Sequence, residues 1–343
     1  MNETIRNALP VFDEVEQSDQ AWNVYQYMLK LGAQAIGHLV LDMDFKHFTN
    51  ADAPIHEYVL GVAENLSLYK KMSSKGDWYA SLPFGDPKKL ENLKKWQYEQ
   101  VLQAISRAKS NGNEDLPLQE AALQAANVID YLVRATYSSG QKLPTENLAG
   151  AVLVSSGAGF TTTSTLLSWL IYVDNDFTDD TEITPEMVEK LSFQTKYVKE
   201  MQRVHDPSYQ PGRTARLDCV LPGGYRVHEG DVGIAAIHHI QTNRKVWINP
   251  TRFDPDRWDN NPIKHEGQYI PFATGQRMCI GFNLALQEVK IFLPKLVWRY
   301  HWEKEGETAV EYDPFFQLIR PVNLYARTQR RTKYPSKSRS LQA

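Results

Sequence analysis

The stretch Phe272-Ala273-Thr274-Gly275-Gln276-Arg277-Met278-Cys279-Ile280-Gly281 constrains this chain more than any other. It sets a cysteine between two glycines, two residues after an arginine and just before a helix-forming run. Glycines at 275 and 281 let the backbone turn tightly and approach a flat ligand that a side chain would obstruct. Backbone N–H groups near a helix start favour an anion, so Cys279 is placed to bind a metal as thiolate. Arg277 would neutralise a carboxylate on the same ligand, and Phe272 would shield the sulfur. Any one of these residues alone reads better as part of a buried cysteine in a glycine loop; together they are not generic.

The remaining composition permits such a site. With 343 residues, 42% hydrophobic and 11% aromatic, the chain can bury a large core and is globular. A formal net charge of -3 gives no general attraction to phosphate backbones, so nucleic acid is not an expected partner. Cys219 and Cys279 are the only cysteines, too few for a disulfide scaffold and suited to a reducing intracellular compartment. Met1 to Gln20 is polar and acidic and reads as neither a signal peptide nor a membrane span, so the chain is expected to be soluble or peripheral. A basic run from Arg327 to Arg339 reads as a solvated terminus, with residues 331–343 a tail beyond the domain.

Periodicity predicts helices over 21–40, after the Phe84-Gly85-Asp86-Pro87 turn, over 118–137 and over about 145–172. The last is so apolar that it is expected to lie buried in the middle of a domain. Asp174 to Glu182 reads as a loop, and Thr184-Pro185 as the start of a helix that ends near Arg203. Short β-branched and glycine-rich segments around Cys219 to Val227 suggest a small sheet, with Cys219 a small buried residue in it. After Gly281 helix returns, weakened in the middle by Pro294. His238 and His239, adjacent on a strand, would point to opposite faces and cannot share a metal. No domain boundary is visible, so residues 1–330 are expected to form one mainly α domain with a small β-sheet.

Phe-x-x-Gly-x-Arg-x-Cys-x-Gly resembles the haem-binding signature of the cytochrome P450 family, and the resemblance makes Cys279 the axial thiolate of haem b iron. Three further segments follow in the family's order. Glu200-x-x-Arg203 resembles the pair on the family's K helix, and Phe253-Asp-Pro-Asp-Arg257-Trp258 its meander, whose arginine completes a buried network with that pair. Arg213 is similar to a position that contacts a haem propionate. Ala158-Gly159-Phe160-Thr161-Thr162-Thr163 resembles the oxygen-binding helix, with Thr162 at the threonine that manages protons for dioxygen. A threonine that merely bonds to the previous helical turn is the bland alternative there.

The chain departs from the family in three places. Thr161 stands where the family has an acid, between Tyr172 and Glu186 a helix is replaced by an acidic loop, and the resemblance, from about residue 20 to 330, begins after the family's anchor, first helices and substrate loop. The resemblance therefore implies an N-terminally shortened, haem-thiolate monooxygenase of fungal microsomal type, oxidising an apolar substrate with dioxygen in secondary metabolism or in fatty-acid or xenobiotic oxidation. No nucleotide-binding glycine fingerprint is present, so electrons would come from a separate protein such as NADPH-cytochrome P450 reductase. A haem-dependent isomerase or dehydratase, or a non-catalytic remnant, are the rival expectations.

Overall fold

The computed structural model describes residues 1–172, 192–208, 211–260, 262, 263, 265 and 267–331. The expected loop at Asp174 to Glu182, the Thr184-Pro185 helix start and nearly all of the basic tail lie outside them. Two compact units result, Met1–Thr184 with Ala285–Ala343, and Pro185–Leu284. Helix dominates and the strands are short, as the patterning predicts.

The first unit opens with α1 (Asn2–Gln17), β1 (Trp22–Asn23) and α2 (Val24–Ile36). The Asn23 side chain caps α2 by accepting from Gln26 N at 3.0 Å. One π-helical turn, Gly37–Leu41, continues α2 and ends at Asp42 in the left-handed conformation. Helices α3 (Glu57–Lys75), α4 (Asp77–Ala80) and α5 (Asp86–Ser110) follow. The predicted helix at 118–137 is instead two, α6 (Leu118–Gln124) and α7 (Val128–Arg134), flanked by the paired strands β2 (Leu116–Pro117) and β3 (Ala135–Thr136). Its break has a local cause: Ala125 is extended, and the Asn127 side chain accepts from Asp130 N, capping a new start. Helix α8 spans Thr145–Tyr172, with the predicted bounds.

The second unit starts at α9 (Ser192–Val204), whose end matches expectation. Two antiparallel pairs follow, β4 (Gly212–Thr214) with β7 (Val232–Ile234), and β5 (Cys219–Leu221) with β6 (Tyr225–Val227) turning at Gly223-Gly224. Cys219 is only half-buried, because a two-stranded hairpin leaves one face open. His238 and His239 lie on the short helix α10 (Ile237–Thr242), not on a strand. From Phe282 the helix α11 runs to Arg299, unbroken through Pro294, and returns the chain to the first unit.

There α11 leads into β8 (Tyr300–Lys304), which pairs with β9 (Tyr325–Arg330), and β9 with β1, all antiparallel. Against this sheet packs α1, a helix that the polar average of residues 1–20 conceals. Ile5, Ala8, Phe12 and Val15 recur every three or four residues and are buried. Phe12 meets the rings of Trp22, Tyr27, Tyr300 and Trp302. Asp13 fixes the register, accepting from Arg299 Nη2 and from the Tyr300 hydroxyl, both at 2.6 Å.

The centre of the unit is the pair α2 and α8. Nearly all of α2 and the second half of α8 are buried, the polar stripe Gln26, Lys30 and Gln34 of α2 included in part. Glycines set their approach. A Cβ at Gly32 would stand 2.8 Å from Ser164 Oγ and 3.5 Å from Phe160 O, and one at Gly159 would meet Ile36 of α2 at 2.9 Å. Gly32→Ala is therefore expected to destabilise the chain by about 1–3 kcal/mol, since Ser164 and a backbone carbonyl must give way. Adding Ser164→Ala should restore part of the loss in urea denaturation.

Candidate functional site

Glu200 and Arg203, on one face of α9, are both 0% exposed. Arg203 donates to Glu200 through Nε at 2.9 Å and Nη2 at 2.7 Å, a bidentate pair. Glu200 accepts three more bonds, from Arg257 Nε at 3.3 Å, Trp258 Nε1 at 3.1 Å and Asp254 N at 3.0 Å. Arg203 spends its remaining donors on the carbonyls of Gln241, Pro250 and Arg252. The three residues that the family resemblance joined thus form one network, and it anchors the segment 248–258.

Four members of this network carried no sequence signal. Gln241 of α10 donates to Gln202 O and accepts from Ile270 N at 3.2 Å. The Tyr269 hydroxyl donates to Gln202 Oε1 at 3.0 Å. Asp206 is buried beside Gln241 and Ser208 N, and burial pushes its carboxyl up to about 7. These bonds hold Tyr269 and Ile270, the residues from which the cysteine turn departs.

In that turn Ala273 N donates to Ile270 O, Cys279 N to Phe272 O at 2.9 Å, and Met278 N to Gly275 O at 3.0 Å. Gly275 has φ +75°, which a side chain would oppose, whereas a Cβ at Gly281 would meet only Cys279 Sγ at 3.9 Å. Phe272 packs on Phe282 at 6.2 Å between ring centroids. The Cys279 thiol is exposed, and Ile280 beside it is 95% exposed. From β4 the exposed Arg213 reaches the same turn, donating through Nη2 to Arg277 O at 3.3 Å. Cys279, Phe272, Gly275, Arg277, Gly281 and Arg213 therefore share one unit and one surface.

Ala158, Gly159, Thr161 and Thr162 belong to the other unit, on α8. Ala158 and Thr162 lie on an open stripe with Val154, while Gly159 faces Ile36 and serves the packing of α2. Thr162 Oγ1 donates to Ala158 O at 2.7 Å, the bond back to the previous turn that the bland alternative expects. Thr161 is buried, and its hydroxyl has no hydrogen-bond partner among the described residues.

The sequence matches the family described as Cytochrome P450 over residues 1–325. The chain belongs to the cytochrome P450 family. The match includes the first twenty residues, which motif spacing alone did not join to it. Cytochrome P450 monooxygenase alnD of Emericella nidulans is 42% identical over 98% of this chain and 65% of its own length. The rat cytochrome P450 4A12 is 22% identical, covering 88% of this chain and 62% of itself. The chain thus spans a little under two thirds of these relatives. Among solved structures, the heme domain of cytochrome P450DA aligns with a TM-score of 0.76 at 21% identity over 96% of this chain and 72% of that one. A cytochrome P450 designated CYP102L1 gives 0.79 at 18% identity over 96% and 73%.

P450 proteins carry haem b, a flat apolar ring with two carboxylates. The surface around Cys279 has matching chemistry: a free thiol on a bonded turn, the exposed apolar Ile280 and Met278, and two exposed guanidinium groups. The turn's rigidity depends on the buried network behind it. Glu200→Gln in this P450 is expected to cost about 3–5 kcal/mol, since Arg203 would keep a buried charge without its counterion. Chemical denaturation followed by tryptophan fluorescence reads this through Trp247 and Trp258, which flank the network.

Proposed function

We propose that the chain is the haem-thiolate part of a monooxygenase that inserts one atom of dioxygen into an apolar organic substrate. What supports this most is the exposed thiol of Cys279, held on its hydrogen-bonded turn in a chain 42% identical to a P450 monooxygenase. Haem b, when bound, supplies the activation of dioxygen. Residues 1–330 would make up one haem domain.

Within it the side chains divide the work. Cys279 Sγ would hold the haem iron as thiolate, and Phe272, packed on Phe282, would support the turn that carries it. Gly275, at φ +75°, gives the turn its shape, whereas nothing in the turn requires a glycine at 281, and Arg277 and Arg213 would neutralise the propionates. Glu200, Arg203 and Arg257 keep the turn's support rigid. On α8, Thr162 would have the role of the family's threonine and Ala158 shares its open stripe, while Gly159 is taken up by the contact with Ile36 of α2. Because Thr162 already donates to Ala158 O, its lone pairs remain to accept a proton-bearing neighbour such as water. Thr161 brings a hydroxyl where the family has an acid, so protons must arrive by water and hydroxyls.

Electrons would come from NADPH-cytochrome P450 reductase or a similar protein, and the other partners are dioxygen and a small apolar substrate. Among the described residues no helix is long and apolar enough to cross a membrane. An intracellular place at the face of the endoplasmic reticulum and a role in fungal secondary metabolism complete this reading; the Emericella nidulans relative supports its monooxygenase part alone.

Expression with haem precursor is expected to give a reduced, carbon monoxide-bound Soret band shifted far to the red. Cys279→Ser should abolish it and Cys219→Ser should leave it unchanged. An unshifted band, or hydroperoxide turnover that needs no reductant, would contradict the proposal.

A further inference from the structure

Helix α11 carries a carboxyl group that the site above does not use. On the sequence Glu288 falls in a row with Leu284, Ile291 and Lys295, yet the structure leaves it 0% exposed. Neither of its oxygens has a hydrogen-bond partner of normal geometry among the described residues. It lies where three helices meet. The Cβ that Gly32 of α2 lacks would be 3.9 Å from Glu288 Oε1 and 2.8 Å from Ser164 Oγ of α8. The contact point on α8, Ser164, is two residues beyond Thr162.

The hydroxyls of α8 show why this point matters. Thr162, Ser164, Thr165 and Ser168 each donate back to the carbonyl four residues earlier, at 2.7, 2.5, 2.7 and 2.7 Å. Such bonds bend and loosen a helix. Thr163 is different, for its side chain is directed to Glu288.

We propose that Glu288, buried at the contact of Gly32 on α2 with Ser164 on α8, is a positioning residue for the Ala158–Thr162 segment of α8. Its environment suits the uncharged form. Gly32 from α2 and Thr163 and Ser164 from α8 carry no charge. Burial outweighs the Thr163 hydroxyl and pushes the carboxyl up to about 8 from its ordinary 4.5. Between those two values the folded chain keeps a proton that the unfolded chain has lost. Stability contributed by Glu288 therefore falls as pH rises through that window and levels off above it.

The positioning of Thr162 for dioxygen rests on the proposed function, so the test is one that needs no haem. Thermal unfolding of the full chain is measured from pH 5 to pH 9 for the wild type, Glu288→Gln and Glu288→Leu. The wild type and Glu288→Gln should coincide near pH 5, with the glutamine variant more stable by several degrees at pH 8. Parallel profiles would overturn the proposal, because the acid would then not be neutral in the fold. Hydrogen exchange is the second reading. Glu288→Leu should speed exchange at residues 158–165 by about tenfold relative to β8 and β9, and Glu288→Gln should not. Unchanged exchange in the leucine variant would show that Glu288 positions nothing. Loss of the haem spectrum with both results intact would count against the proposed function alone.

Discussion

The carboxylate of Glu200 accepts five hydrogen bonds inside the second unit, from Arg203, Arg257, Trp258 and the backbone of Asp254. Much else there hangs on it. A short hairpin, a six-residue helix and long irregular stretches cannot bury enough apolar area to fix their own conformations. The network does so by making each neighbour answer a desolvated charge: leaving any donor unpaired would cost more than the order it imposes. Through Gln202, Gln241 and Tyr269 the same order reaches the residues that precede the cysteine turn.

In the first unit the constraint is steric. Helices α2 and α8 approach closely because Gly32 and Gly159 carry no Cβ, and Glu288 of α11 reaches the point where they meet. Polar groups trapped by that packing have little choice of partner. The hydroxyls of α8 turn back on their own helix, Thr161 is left without a partner among the described residues, and Glu288 is pressed toward its neutral form. Packing and electrostatics thus meet on one helix, close to the segment that resembles the family's oxygen-binding residues.

The long apolar helix and the cysteine turn were legible because each follows from local pattern: unbroken apolar residues over 145–172, and glycines spaced about a cysteine. Glu200, Arg203 and Arg257 were legible only together, since a pair three residues apart is commonplace. What the sequence hid was set by averaging and by distance. Buried residues of α1 keep a helical period, but they sit among acids that make residues 1–20 look like a solvated end. The break between α6 and α7 rests on one asparagine cap. Gln202, Gln241 and Tyr269 are ordinary polar residues until chain segments up to 67 residues apart are brought together. Glu288 lay in view on a helix, and only its depth of burial shows that it is not a surface acid.

The central claim is that this folded scaffold presents Cys279 as a thiolate to iron. Resonance Raman spectroscopy of the haem-loaded chain, with and without heavy-sulfur cysteine, tests it most directly. An iron–sulfur stretch that shifts with the isotope, survives in Cys219→Ser and disappears in Cys279→Ser is the expected result. An iron–ligand mode insensitive to the sulfur isotope, or one retained in Cys279→Ser, would contradict it.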